Sequence, residues 1–461
     1  MTRIVVRYSS GQTAQREAFT ASASALGACA IAGAITDVIC VVGVIDNFGA
    51  EPILLLWAID AAIVMGFAGL IAGVVDRVNR ARALMLLLGA ASLLHLGVAG
   101  LFFAEVRPAL CYGALLALGR IDANLVVTFA WSLARDHFDF ESGVKGFSRL
   151  NAVAGVAGSI GTLIATALIS PLARAAGVLG IAMLFAIAGA VVWRRAPRVP
   201  TRSAADVERE RISLPPRADA AASFSIPPPL SVRSLAPPPI SRNMKPVTHA
   251  EAIRFVFGSR AFRAVAWLGV INGSAHSVLA YEVLRVLERS GGSLTTQYGV
   301  LRFVEPIVLA LVPAFLAPVV IRRVGIRGAF VVTSVAVVVG VGTLASLPLP
   351  ATAIACGVLS DLAFGLDYAG FTASLTEIPE RLRPRTSVLL DGTVYHVGYL
   401  SGVVLLVVAA FAAKLVARNE LDSHIALVTT FVLNLVGLRL ALRFNPQFGS
   451  VRESGLSFER R

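Results

Sequence analysis

RAPRVPTRSAADVERERISLPPRADAAASFSIPPPLSVRSLAPPPISRNMKP, Arg195 to Pro246, interrupts a chain that is otherwise almost continuously apolar. It holds half of the chain's 22 prolines, in PP and PPP runs mixed with Ser, Ala and Arg. A segment with so little to bury builds no core, and its composition predicts a disordered or polyproline-like linker. Its position decides the architecture. Working outward, six apolar runs precede it and six follow.

The 461 residues are 56% hydrophobic and 15% charged, against roughly 45–50% and about 25% in soluble domains. A spanning helix needs about 20 apolar residues. On that length the runs fall at residues 22–45, 52–74, 82–104, 109–133, 150–172, 175–194, 262–283, 299–322, 327–348, 350–376, 395–415 and 423–443. The first run exceeds the roughly 7–15 residues of a signal-peptide core and reads as a retained transmembrane helix. The expected fold class is an all-α polytopic membrane protein of about twelve transmembrane helices. Its expected parts are an amino-terminal six-helix half (1–194), a Pro/Ser/Arg-rich linker (195–246), a carboxy-terminal six-helix half (247–443) and a tail (444–461).

Charge placement sets the expected orientation. The formal charge is +13, yet only Lys145, Lys245 and Lys414 are lysines, and the arginines gather between the apolar runs. VDRVNRAR (Val75 to Arg82) and IRRVGIR (Ile321 to Arg327) are basic, whereas DNFGAE (Asp46 to Glu51) and SLPLP (Ser346 to Pro350) carry no base. This is a positive-inside pattern: it places both termini and the linker in the cytoplasm and argues against nucleic-acid binding. The four cysteines lie in apolar runs with no CxxC, so neither a disulfide framework nor a zinc site is expected.

The halves look related. An offset of 242 places Leu26-Gly27 on Leu268-Gly269 and the Phe129–Leu133 segment on Phe371–Leu375, which favours two parallel six-helix repeats around a central site.

Ionisable residues inside spans cost about 2.5–3.5 kcal/mol each at mid-helix, so they normally face a cavity or a partner. Arg120 and Asn124, four apart on one face of span four, suit an oxyanion, because a guanidinium binds phosphate or carboxylate through two donors and keeps its charge. The alternative is that Arg120 pairs with an acid such as Asp37 or Asp361 and only locks the bundle. Asp361 with Tyr368 on span ten, and Asn272 with His276 on span seven, share helix faces suited to a substrate path or proton relay; Asp367 joins them as a coupling candidate. Asp60 and Glu305 lie near span ends, where structural ion pairing is expected. The glycine sets GVAGSIG (Gly155 to Gly161) and Gly398/Gly402 are expected to be close-packing faces.

Gating candidates come from the loops. Asp76, Arg77 and Arg80 form a DRxGRR-like loop after span two, with Asn79 at the Gly position. Arg135 and Asp136 leave span four, and Glu377, Arg383, Arg385 and Asp391 occupy the equivalent place in the second half. The two charged stretches are each balanced in acids and bases.

Those stretches also carry a resemblance. Trp131, Asp136, Phe138, Gly146, Phe147, Gly155, Gly158 and Gly161, together with Pro379, Arg383, Arg385, Leu389-Leu390, Asp391, Gly398 and Gly402, resemble two blocks of the ATP/ADP translocase-like nucleotide transporters of plastids and intracellular bacteria. Thr372 stands near where that family has an acid, and lysines that could meet phosphates inside the membrane are absent, so Arg120 would have to serve instead. The resemblance implies a major facilitator-like fold and exchange of an anionic, phosphorylated solute such as ATP for ADP; the expected setting is a bacterial inner membrane, and no cofactor is expected. Two other readings stay open. One is a proton-coupled transporter of another organic solute, favoured by the surplus of intramembrane acids. The other is a membrane scaffold that docks a cytoplasmic partner at the Pro-rich linker. No Walker A, GxSxG or HExxH sequence points to an enzyme or ATP-driven pump.

Overall fold

The structure is a computed structural model that describes residues 2–74, 78–137, 140–168, 170–196, 249–375, 378, 382, 386, 388–415 and 421–444. Of the gating candidates, Asp76, Arg77, Glu377, Arg383 and Arg385 lie outside the described residues, as do the side chains of Arg135, Asp136 and Asp391. The Pro-rich linker from Pro197 and the tail from Asn445 lie outside them too.

The first half consists of α1 (Thr2–Phe48), α2 (Glu51–Val74), α3 (Arg80–Phe103), α4 (Pro108–His137), α5 (Phe140–Thr166) and α6 (Pro171–Arg195). The second half opens with a short helix, α7 (His249–Gly258), which the hydropathy pattern does not predict, and continues through α8 (Arg260–Arg289) and α9 (Leu294–Leu311). A π-helical turn (Val312–Leu316) leads from α9 into α10 (Ala317–Ser346). After α11 (Pro350–Leu375), a second π-helical segment (Val388–Val394) precedes α12 (Tyr395–Leu415) and α13 (Leu421–Arg443). The fold is therefore all-α, with twelve spans in a six-plus-six plan. Eight of the described helices are long and apolar enough to cross a membrane, and α1 is the most enclosed of them.

Local chemistry sets the breaks. Asn79, Ser170, Ser259 and Ser293 cap α3, α6, α8 and α9, each side chain accepting from the backbone N–H three residues on. Pro306, Pro313 and Pro318 crowd the eighth span; each lacks the N–H donor that an α-helical turn needs, and here the helix widens to the π turn. Within α10, Gly325 sits at φ 72°, a conformation that glycine adopts without strain. It divides the helix inside IRRVGIR, so Ala317–Val324 completes span eight and the remainder is span nine. α1 starts at Thr2, well ahead of the predicted span.

Small residues allow the close approaches. A Cβ on Gly398 would meet the carbonyl oxygen of Val270 at 2.4 Å, and one on Gly402 would meet that of Ser274 at 2.4 Å, so α12 lies directly against α8. In the first half, a Cβ on Gly161 would sit 2.7 Å from the carbonyl oxygen of Ile31, bringing α5 against α1. The expected packing faces are thus packing faces.

Successive spans run antiparallel, which gives the bundle two ends: a base, where α1 begins, and a crown, at the α1–α2 turn. The halves meet where α5 packs against α9 and where α2 packs against α12 and the π-helical segment before it. Ser159 and Thr162 of α5 donate to the carbonyl oxygens of Phe303 and Arg302 of α9, at 3.1 and 3.2 Å. Gly158 lies against Pro306, and Lys414 of α12 approaches Glu51 of α2 at 3.7 Å.

Candidate functional site

Two cavities meet in the middle of the bundle. One, of about 360 Å³, runs from Thr162 and Asp37 toward the base, past Leu26, Trp131 and Asn151. The other, of about 270 Å³, is walled by Trp57, Leu279, His276, Phe364, Tyr395 and Tyr399 among others. Asp37, Arg120, Arg302 and Glu305 line both and mark their junction.

At this junction the charges form one network. Arg302 reaches across from α9 to Asp37 of α1, with Nη2 at 2.5 Å and Nε at 2.6 Å from Oδ2. Its Nη1 binds Glu305 one turn along the same helix. Tyr298 donates its hydroxyl to the same Asp37 oxygen at 2.7 Å, and the Arg302 guanidinium lies 5.5 Å from the Tyr298 ring centre. On the opposite side, Arg120 sits between Asp60 (Nε to Oδ2, 3.2 Å) and Asp37 (Nη2 to Oδ1, 3.7 Å). Asp361 completes the lining of the second cavity. Four carboxylates, Asp37, Asp60, Glu305 and Asp361, therefore surround two guanidinium groups. Asp60 Oδ1 is enclosed and accepts no hydrogen bond.

The structure brings some expected site residues together and separates others. Asp37, Arg120, Asp361 and His276 line the cavities, with His276 Nδ1 3.2 Å from the Ser360 hydroxyl. Asn124 shares the helix face of Arg120, but its Nδ2 donates to the Arg120 carbonyl oxygen at 2.7 Å and it lines neither cavity. A short amide one turn from a free lone pair satisfies itself locally, and the expected arginine–asparagine anion clamp is not assembled. Asp367 and Asn272 pair with each other at 2.8 Å, Nδ2 donating to Oδ1, and Asp367 and Tyr368 line a separate pocket. Asp60 and Glu305, expected as pairs at span ends, instead belong to the central network. Among the gating candidates with a described side chain, Arg80 donates from Nη1 to the carbonyl oxygen of Ser132 at 3.3 Å, tying α3 to α4 within the first half. Asp122 faces away from Arg120 toward His95, 3.5 Å from its Nδ1.

Arg302, Tyr298 and Tyr399 are central here and sequence reading passes over them. Arg302 had a usable signal: it is an arginine in an apolar run, three residues before Glu305, where the pair shares a helix face. The tyrosines had none, since an aromatic residue in a span is ordinary.

No family model and no curated protein matches the chain. Solved structures do. A nucleoside transporter, NupG, in a point-mutant form, superposes with TM-score 0.60 at 11% identity over 93% of this chain and 98% of its own. A bacterial homologue of the human lysosomal transporter Spinster, inward-facing and unoccupied, gives 0.61 at 14% identity over 95% and 97%. A D-xylose–proton symporter gives 0.61 at 12% over 95% and 98%. The chain has the major facilitator-like fold over essentially its whole length.

Proposed function

We propose that the chain is a secondary transporter of a small organic solute, coupled to protons and working by alternating access of its two halves. The observation that carries this is the central network, in which the carboxylates outnumber the guanidinium groups by two and one arginine of the second half closes on one aspartate of the first. Carboxylates without matching cations in a low-dielectric bundle are natural proton carriers, because neutralisation relieves their burial cost. The Asp37 contacts to Arg302 and Tyr298 tie α1 of the first half to α9 of the second at the junction of the cavities, and protonation of Asp37 would weaken both. The cavity leading toward the base then gives the solute its route. With the basic loops in the cytoplasm, that route opens inward, in a bacterial inner membrane with both termini cytoplasmic. Neighbours of the same fold include a nucleoside transporter and a sugar–proton symporter, which supports a transporter rather than an enzyme.

The test uses proteoliposomes holding a pH-sensitive dye. Nucleosides, pentoses, organic amines, nucleotides and organic phosphates are added one class at a time, and the expected outcome is a solute-dependent proton movement that Asp37→Asn removes. No proton movement with any class would sink the reading.

A second reading, exchange of an anionic phosphorylated solute of the ATP/ADP kind, draws support from Arg120 and Arg302 both facing the cavities. It expects labelled ATP uptake to depend on ADP loaded inside, with no proton signal. The geometry favours the first reading, since both arginines already hold carboxylates that a phosphate would have to displace.

A further inference from the structure

Beside the second cavity lies a pocket of about 40 Å³ inside the second half, and Phe364 and Tyr395 line both, forming the partition. Its one charged group is Asp367, 6% exposed. The carboxylate receives the Asn272 amide at Oδ1, and among the described residues no arginine, lysine or histidine pairs with it. Asn272 is itself buried, and its Oδ1 accepts no hydrogen bond. The rest of the wall is apolar, part aliphatic (Val265, Leu390, Val394) and part aromatic: the Phe364 ring centre lies 5.1 Å from Tyr395 and 6.4 Å from Tyr368, which lies 6.2 Å from Phe371. Tyr368, 44% exposed, is the least enclosed part of the lining.

The walls define what belongs inside. Ring faces carry negative potential, so they repel an anion and attract a cation, as the carboxylate does. Bare metal ions need a shell of oxygen ligands, about six or more for the hard cations, and this pocket offers few. An ammonium group attached to carbon satisfies both surfaces: its N–H donors meet the Asp367 carboxylate, and its polarised methylenes meet the rings. Room for about three water-sized positions suits a primary ammonium and its first carbons.

We propose that this pocket receives the ammonium head group of the transported solute, with Asp367 as its counter-charge, so that the substrate class is an organic amine. The inference rests on the central cavity being the transport path, and the partition by Phe364 and Tyr395 places the head group one ring's thickness from it.

The experiment measures thermal unfolding of the full chain in lipid nanodiscs, with n-butylammonium, n-butanol and butyrate at matched concentrations. Butylammonium is expected to raise the midpoint and the other two to leave it unchanged. Asp367→Asn is expected to abolish the shift, and Phe371→Leu to weaken apparent affinity roughly two- to thirtyfold, the loss of one ring facing a cation. If Asp367→Asn fails to fold, the contrast among the three probes and the Phe371→Leu titration decide alone. An equal shift from butanol, or a shift that survives Asp367→Asn, overturns the proposal. So does a lack of any response to butylammonium across the pH range in which the protein stays folded; Asp367 would then serve only as the acceptor of the Asn272 amide. Because no gradient is involved, absent amine binding with intact solute-driven proton movement sinks this inference alone, and absent proton movement sinks the reading beneath it.

Discussion

The two halves carry opposite charges at equivalent places. Arg302 on the second span of the second half lies 242 residues after Asp60 on the second span of the first; Asp361 on the fourth span lies 241 after Arg120. One repeat thus has acid then base, and the other base then acid. Like charges at corresponding positions would repel across the pseudo-twofold axis, whereas the inverted pattern lets Arg302 cross to Asp37 while Arg120 stays with Asp60 and Asp37. The site therefore depends on unlike charges at equivalent places, and the second half supplies the cation that joins it to Asp37 of the first.

The largest effect is expected when the halves lose their freedom to part. A Cβ on Gly299 of α9 would lie 3.4 Å from the Cβ of Thr166 on α5, close to the ~3.8 Å of a disulfide. Thr166→Cys with Gly299→Cys should crosslink on oxidation and stop solute-driven proton movement, with recovery on reduction; activity that persists in the crosslinked protein would refute alternating access through this contact. Next in size, Arg302→Met leaves Asp37 to Arg120 and Tyr298 alone. Breaking such a partly buried pair should cost roughly 3 kcal/mol in stability and abolish transport, and a thermal-unfolding series including Asp37→Asn/Arg302→Met should recover part of that loss.

A smaller effect is expected at Arg120, whose fork spans two acids within its own half. Arg120→Lys keeps the charge but loses one of the two contacts, about 1 kcal/mol or a several-fold fall in transport rate. The least change is expected for Asp122→Asn. Asp122 faces His95 and lines neither cavity, so transport measured per folded molecule should stay within about twofold. A larger loss there would show that the first half carries a second ionisable centre.

The twelve-span plan was legible because lipid demands length and apolarity, and both are visible in a bare sequence. Asp37 and Arg120 were legible for the same reason, as charges isolated in apolar runs. The Asn124 expectation failed at a finer scale: helical spacing reports the face, but the side-chain torsion that turns the amide onto the Arg120 carbonyl depends on what surrounds it. Asp60 was read by its distance from a span end, yet α2 places it facing the partner helices at the junction of the cavities. The partition of Asp361 and His276 from Asp367 and Asn272 is a tertiary fact set by where Phe364 and Tyr395 pack, and no spacing within α11 announces it.

The π-helical segments at Val312–Leu316 and Val388–Val394 both belong to the second half, and the described residues of the first half contain none. A π turn is wider than an α turn and has looser axial packing, so it is where a long helix yields first under load. We expect compliance to concentrate in the second half, in the spans that bear Arg302 and wall the Asp367 pocket. Spin-label distances across the base should consequently broaden within the second half and stay narrow within the first; equal widths would mean that the halves move as two rigid bodies.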